Sequence, residues 1–489
     1  MRLLNLLDLS IIVFYLIGIT WIGSRFYQKQ TNMKEYLLGS KVMKWFPVAI
    51  SILAADTSAI TYLGSPAWAF RHDMKLNQNI FVYLLAIPIV IWLFLPIYSK
   101  GDLYTAYQFL ERRFDLKVRL LATMFFLAVR GSHVAVIIYI PALIMSELMG
   151  VPLKFSILAM GLLTAVYTSL GGIKAVIWTD TIQVGTIVLG FTVLATSALR
   201  NIPGGIHEVL SVGLAYGKFH LFDFSLNVDK VDNFWALLIG GTLLSVQAMS
   251  TDQAVLQKYF TTKSSKETSK SLLFYGIVVV PMITLLSLLG VVLFVFYSYH
   301  PELKATLRNP DTVVAHYAAN MLPHGLAGLL VASIFAGSMS TVSASINALA
   351  TSSVVDVYQR LFQRGRPDAH YTFASRCATF LWGAAATVGA FYADRLGTLN
   401  LAFLKIQSLM GGVILGIFLL GVLSNRTTNT GVVVGTLVGF LTVVYVAFYT
   451  PASLYWFCVV GCITVVIVGL SYSEVFPQRT PKKVVGASS

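Results

Sequence analysis

The chain has 489 residues, 56% of them hydrophobic and 11% charged, with a mean hydropathy of +0.75, against about 25% charged residues in an average soluble domain. Water is therefore not its main solvent, and no stretch is left over for a soluble catalytic or signalling domain. The formal net charge of +14 would suit a nucleic-acid partner, but in a membrane protein an excess of Lys and Arg is first tested as a topology signal.

A spanning helix needs about 20 apolar residues, and thirteen such stretches are expected: 6–26, 46–70, 78–99, 118–148, 153–171, 177–199, 234–257, 271–299, 313–358, 375–394, 399–423, 430–449 and 454–474. The first has no short apolar core with a small-residue cleavage site and reads as a retained anchor. The ninth is too long for one straight crossing, so part of it should extend beyond the bilayer. With the N-terminus outside, most Lys and Arg fall on the cytoplasmic side, from Arg25, Lys29 and Lys34 through Arg112, Arg113, Arg119, Lys258, Lys263, Lys266, Lys270 and Arg360 to Lys482 and Lys483. Arg2, Arg71, Lys75, Lys154, Arg200, Lys218, Lys230 and Lys304 are among those left outside, and Arg130 and Lys405 lie at membrane depth. The surplus sets orientation, and no nucleic-acid partner is implied.

Non-helical backbone inside a bilayer is tolerated only where it is buried in protein or lines a wet cavity. Two polar stretches are expected to break their helices. In the second span Asp56, Thr57, Ser58 and Thr61 interrupt an apolar run, and in the ninth residues 336–347 carry Gly337, Ser340, Thr341, Ser343 and Ser345. An aspartate at the bilayer centre costs about 2.5–3.5 kcal/mol on insertion scales, so Asp56 should face a partner, a cavity or an ion. Ser340 and Thr341 offer neutral hard oxygens, as do carbonyls freed near Ala54 and Thr57; such groups bind sodium in the discontinuous helices of secondary transporters. The competing reading is close helix packing through small and hydroxylated residues. Cys377, Cys458 and Cys462 suit packing and have neither disulfide nor metal-ligand spacing. The motifs G-x-S-x-G, H-E-x-x-H and G-x-x-x-x-G-K-[ST] are absent, which disfavours a membrane-embedded enzyme or a nucleotide-driven pump; a sensor would usually add a soluble domain.

Several segments carry a resemblance: Ile60-Thr61 with Pro66, residues 107–115 (YQFLERRFD), residues 171–180 (GGIKAVIWTD) with Gln183, residues 257–259 (QKY), residues 334–343 (IFAGSMSTVS), and residues 409–412 and 415–421. In this order and spacing the chain resembles the sodium:solute symporters, nearest to the bacterial sialic acid transporter branch, over nearly its whole length. The resemblance implies an all-α membrane protein with a leucine-transporter-like fold and two inverted five-helix repeats, 43–232 and 233–426, preceded by an extra helix and loop (1–42) and followed by two helices and a short basic tail (427–489). It implies a sodium site at the carbonyls of Ala54, Thr57 and Gly337 and the side chains of Ser340 and Thr341. A second sodium would take Asp180, Ser340 and Ser343, but Ala344 stands where that branch carries a further serine. The alternative is that Asp180 caps or orients the helix expected after Trp178.

The branch places a substrate-binding arginine where this chain has His133, and a threonine where it has Asp56. A neutral imidazole does not replace a bidentate guanidinium. The expected cargo is therefore a neutral sugar, polyol or sugar derivative; the alternative is an amino acid or amine-bearing solute with Asp56 as counter-charge and sodium or proton coupling. Ser58, Thr61, Asn77, Gln78, Asn79, Gln247 and Gln407 complete the candidate cavity wall, with Asn77–Asn79 equally readable as loop polarity. The function implied is sodium-coupled symport of a small solute across the plasma (inner) membrane by alternating access, with sodium, solute and lipid bilayer as partners and no organic cofactor.

Overall fold

The computed structural model describes residues 5–27, 32–99, 101, 103–149, 152–307, 309–392 and 399–477. Lys405 is an expected membrane-depth cation whose side chain lies outside the described set. The described residues form helices without a named strand, and all thirteen expected stretches fall on helix. Eight single helices and one bent pair are each long and apolar enough to cross a bilayer. Phe14, Trp92, Leu285 and Phe448 point outward from the bundle, as apolar side chains do when the surrounding solvent is lipid.

Four features depart from the sequence expectation. The ninth stretch is two helices, a short Val313–Met321 and a long Leu326–Ser352 that continues as a wider π-turn over Ser353–Phe362. The fifth and sixth stretches are joined in one assignment, Leu153–Arg200, with a true break at Gly172 (φ 56°, ψ −162°). An unbroken 48-residue helix would be about 70 Å long, more than twice the hydrocarbon thickness, so the left-handed glycine divides two crossings. The sixth span therefore starts near Ile173, and Asp180 lies two turns inside it instead of at its cap.

The third departure concerns the breaks. The second span breaks as expected: Trp45–Asp56 and Ala59–Arg71 meet at 60°. Residues 336–347, however, are continuous helix. Their hydroxyls bond back within it, Ser340 and Thr341 to Gly337 O at 3.1 and 3.2 Å and Ser343 to Ser340 O at 2.9 Å, so the polar groups do not need to unwind the backbone. The fourth is that the second break is in the seventh span, between Ala236–Ser250 and Gln253–Tyr259. There Thr251 and Asp252 leave helical geometry, and Asp252 Oδ1 accepts from Ala254 N at 2.9 Å as an N-cap. The carbonyls freed upstream are taken by tyrosines: Tyr98 donates to Ser250 O, and Tyr107 to Thr251 O at 3.0 Å.

The long helix of the ninth span is the axis of the molecule. Of its most apolar window 94% is buried, against 22–50% for the other single spans. Its N-terminus is capped from another element: Asp8 of the first span, itself fully buried, accepts from Gly325 N at 2.6 Å and Gly328 N at 2.9 Å. At the opposite end Asp356 pairs with Arg119 (2.6 Å), while Glu111 joins Arg119 and Arg360.

Candidate functional site

At the first break, Thr57 N still reaches back to Leu53 O at 2.9 Å, but Thr57 is extended (φ −100°, ψ 103°) and Ser58 restarts the helix by accepting from Ile60 N at 3.2 Å. The carbonyl of Ala54, whose helical donor would be Ser58 beyond the break, accepts instead from Ser340 Oγ and Thr341 Oγ1, each at 3.2 Å. The same hydroxyls meet Gly337 O, so two carbonyls and two hydroxyls from two spans converge in a fully buried cluster. Gly337 permits this approach: a Cβ there would stand 3.0 Å from the Tyr62 ring. Four of the five expected ion ligands are thus gathered. The fifth, Thr57, has its hydroxyl engaged with Leu53 O (2.5 Å) and Tyr62 (2.9 Å), leaving only its carbonyl for the cluster.

In the further set, Asp180, Ser340 and Ser343, the carboxylate is held by partners outside the set. Asp180 Oδ2 accepts from Ser51 Oγ at 2.5 Å and pairs with Lys258 Nζ at 2.9 Å. Ser343 turns to Ser340 O within its own helix. Lys258 lies on the second half of the broken seventh span and is fully buried, not on the surface where its charge alone would put it.

Three expected solute residues, His133, Gln247 and Gln407, line one narrow cavity of about 20 Å³. The sequence reading missed two of its walls. Arg130, one turn before His133, pairs with Asp252 (Nη2 to Oδ2, 2.5 Å) and donates to His133 Nδ1 at 3.2 Å. That bond places the imidazole proton on Nε2. The spacing of three residues between Arg130 and His133 was a legible signal, since such pairs share a helix face. Gln247 Nε2 donates to Thr251 Oγ1 at 3.0 Å, whereas its Oε1 is buried without a partner.

The other candidates lie elsewhere. Asp56 accepts from Tyr275 at 2.6 Å and Tyr83 at 3.5 Å and does not line that cavity. Ser58 is a helix cap, and Thr61 sits in the first turn of the second half-helix. Asn77 accepts from Ser287 at 3.0 Å, and Gln78 donates to the carbonyls of Lys75 and Asp232, both at 2.9 Å. Asn77, Gln78 and Asn79 thus serve the entry to the third span rather than the cavity, as their loop reading allowed.

Residues 36–439 match the model of the sodium:solute symporter family. Over 95% of this chain and 92% of the relative, the sequence is 29% identical to the sodium/sialic acid symporter NanT of Aliivibrio fischeri. It is 33% identical to sodium-coupled monocarboxylate transporter 2 of Danio rerio, over 86% and 68% of the two chains. A solved substrate-bound, outward-open Na+-coupled sialic acid symporter superposes with a TM-score of 0.91 at 26% identity, covering 96% of this chain and 98% of that one. The fold is leucine-transporter-like, as the resemblance implied. The chain belongs to the sodium:solute symporter family and is an integral membrane transporter, not an enzyme, that couples the symport of a small solute to sodium.

Proposed function

We propose that sodium binds among the carbonyls of Ala54, Thr57 and Gly337 and the hydroxyls of Ser340 and Thr341, and that the solute is a small neutral sugar, polyol or sugar derivative held between His133, Gln247 and Gln407. The observation that carries the ion site is the convergence of Ser340 and Thr341 on Ala54 O from across the bundle. Half-helix carbonyls and hydroxyls are the donor set that secondary transporters offer to sodium.

For the solute, the cavity is balanced in charge, because Arg130 and Asp252 neutralise each other. The lone acceptor Gln247 Oε1 costs about 1–3 kcal/mol when unsatisfied, and a solute hydroxyl would satisfy it. Arg130 in the cavity wall favours a second reading, in which a solute carboxylate takes the guanidinium from Asp252; the Danio rerio relative is named for monocarboxylates. An amine paired with Asp56 draws no support from the geometry, since two tyrosines already hold that carboxylate away from the cavity.

In the transport cycle, sodium entering from outside pins the break of the second span to the ninth and completes the solute cavity beside the break of the seventh. Coupling requires sodium to favour the outward, solute-ready state over the inward one. One charge falling through about 100 mV releases roughly 2.3 kcal/mol, and a tenfold sodium gradient adds about 1.4, enough for several-hundredfold accumulation of a neutral solute. The moving units are the repeats 43–232 and 233–426, with the N-terminus outside and the C-terminus in the cytoplasm.

The test is thermal stabilisation of the purified protein by a panel of polyols, sugars, monocarboxylates and amino acids, each in sodium and in potassium. A polyol or sugar should raise the melting temperature in sodium only. A response confined to monocarboxylates overturns the neutral-solute reading, and uptake driven by a pH gradient without sodium overturns the ion site.

A further inference from the structure

Each of three buried aspartates in the bundle already holds a cation of this chain. Asp180 has Lys258 at 2.9 Å, Asp252 has Arg130 at 2.5 Å, and Asp356 has Arg119 at 2.6 Å. Asp56 differs. Its partners are the hydroxyls of Tyr275 and Tyr83, and among the described residues it makes no ion pair. It sits two residues beyond Ala54 and next to Thr57, within the break that supplies the proposed ion ligands.

We propose that one sodium ion, and not two, binds per transport cycle, because Lys258 is a tethered cation that neutralises Asp180 and leaves Asp56 as the carboxylate whose charge the incoming ion balances. The inference rests on the sodium site proposed above and adds its count. Lys258 Nζ is bound as a small hard cation would be, by a carboxylate oxygen of Asp180 and the carbonyl oxygen of Ser51, with Ser51 Oγ closing the group onto the same carboxylate at 2.5 Å. Both members of the pair are fully buried. A second sodium would enter beside an ammonium group, where like charges in a poorly screened interior repel strongly. Position 344, where a further hydroxyl would help it, is alanine.

The tether also links parts that move. Ser51 lies one turn before Ala54 on the first half of the second span, Lys258 on the second half of the seventh, and Asp180 on the sixth. A fixed cation there holds both half-helices to one carboxylate without drawing an ion from solution.

Equilibrium binding of radioactive sodium alone to the purified full chain tests the count without a known solute. Binding is expected to saturate at one sodium per chain. Lys258→Met should raise saturation to two, since Asp180 then lacks its cation, and Asp180→Asn combined with Lys258→Met should return it to one. Saturation at two in the wild-type protein, or at one in Lys258→Met, overturns the proposal; if Lys258→Met does not fold, the wild-type value decides. Ser340→Ala with Thr341→Ala separates the two readings. Unchanged affinity in that variant, still saturating at one, refutes the location of the ion and leaves the count standing.

Discussion

Ser340 and Thr341 each serve two carbonyls, Gly337 O in their own helix and Ala54 O across the bundle. Replacing both by alanine should raise the sodium concentration for half-maximal stabilisation by roughly 10–100-fold, taking about 1–1.5 kcal/mol per lost oxygen and tenfold per 1.4 kcal/mol. The melting temperature without sodium should move little, because the ninth span keeps its backbone ladder. A variant binding sodium as tightly as the wild type would remove these hydroxyls from the site. In the cavity, Arg130→Met should be more damaging than His133→Ala in solute-binding assays, because it leaves Asp252 as a buried unpaired charge, a change that typically costs 3–5 kcal/mol. The cluster at the break of the second span was legible in the sequence, since hydroxyls and a glycine at membrane depth facing a polar break suit either an oxygen site or close helix packing. The pairing of Arg130 with Asp252 was not. Depth can be read from an apolar run, but which cation meets which acid depends on how distant spans face one another.

The two breaks show what decides whether a polar run unwinds a helix. Residues 336–347 stay helical, with Ser340, Thr341 and Ser343 donating to carbonyls three or four residues back, whereas Thr57-Ser58 and Thr251-Asp252 place cap-forming side chains where a new helix can start. A Thr followed by a capping Ser or Asp is the shared signal, and it was present at 251–252. It was hidden by the apolar continuity of 234–257, where hydropathy alone reads one uninterrupted span. At the end of the ninth span away from Asp8, the helix Tyr107–Arg113 presents Glu111 to Arg360 and Arg119. Burial opposes ionisation there, but the hydrogen bonds from Arg360 and Arg119 prevail and hold the carboxyl below its ordinary value of 4.5. A depressed carboxyl adds stability that is present above the unfolded value and lost as pH falls through the folded one. Glu111→Gln should therefore melt lower than wild type at neutral pH, by the equivalent of about 1–3 kcal/mol. That gap should close on acidification below about pH 4.5, the unfolded value. A gap of constant size from pH 7 to 3.5 would show that the carboxylate charge is not what the variant removes.

At the scale of the whole molecule, the asymmetry of Lys and Arg sets a testable orientation. In a protein with Cys377, Cys458 and Cys462 replaced, Lys230→Cys should react with an impermeant maleimide from outside intact cells, and Lys263→Cys only after permeabilisation; the opposite pattern inverts the topology. The fold class could be read from composition and spacing because lipid demands long apolar helices, and hydropathy reports those directly. The subdivision of the ninth stretch could not, because a helix lying outside the bilayer keeps the apolar composition of a span. The first span stands outside the two proposed repeats, yet its Asp8 closes the amide end of the helix that carries Gly337, Ser340 and Thr341. Anything done to that flanking helix, whether a deletion, a fused tag that drags on it or an Asp8→Asn change, is thus an operation on the far end of the rod that carries the proposed ion ligands. Expression designs that treat the leading segment as dispensable packaging should yield transporter that inserts and folds but has lost part of its grip on sodium.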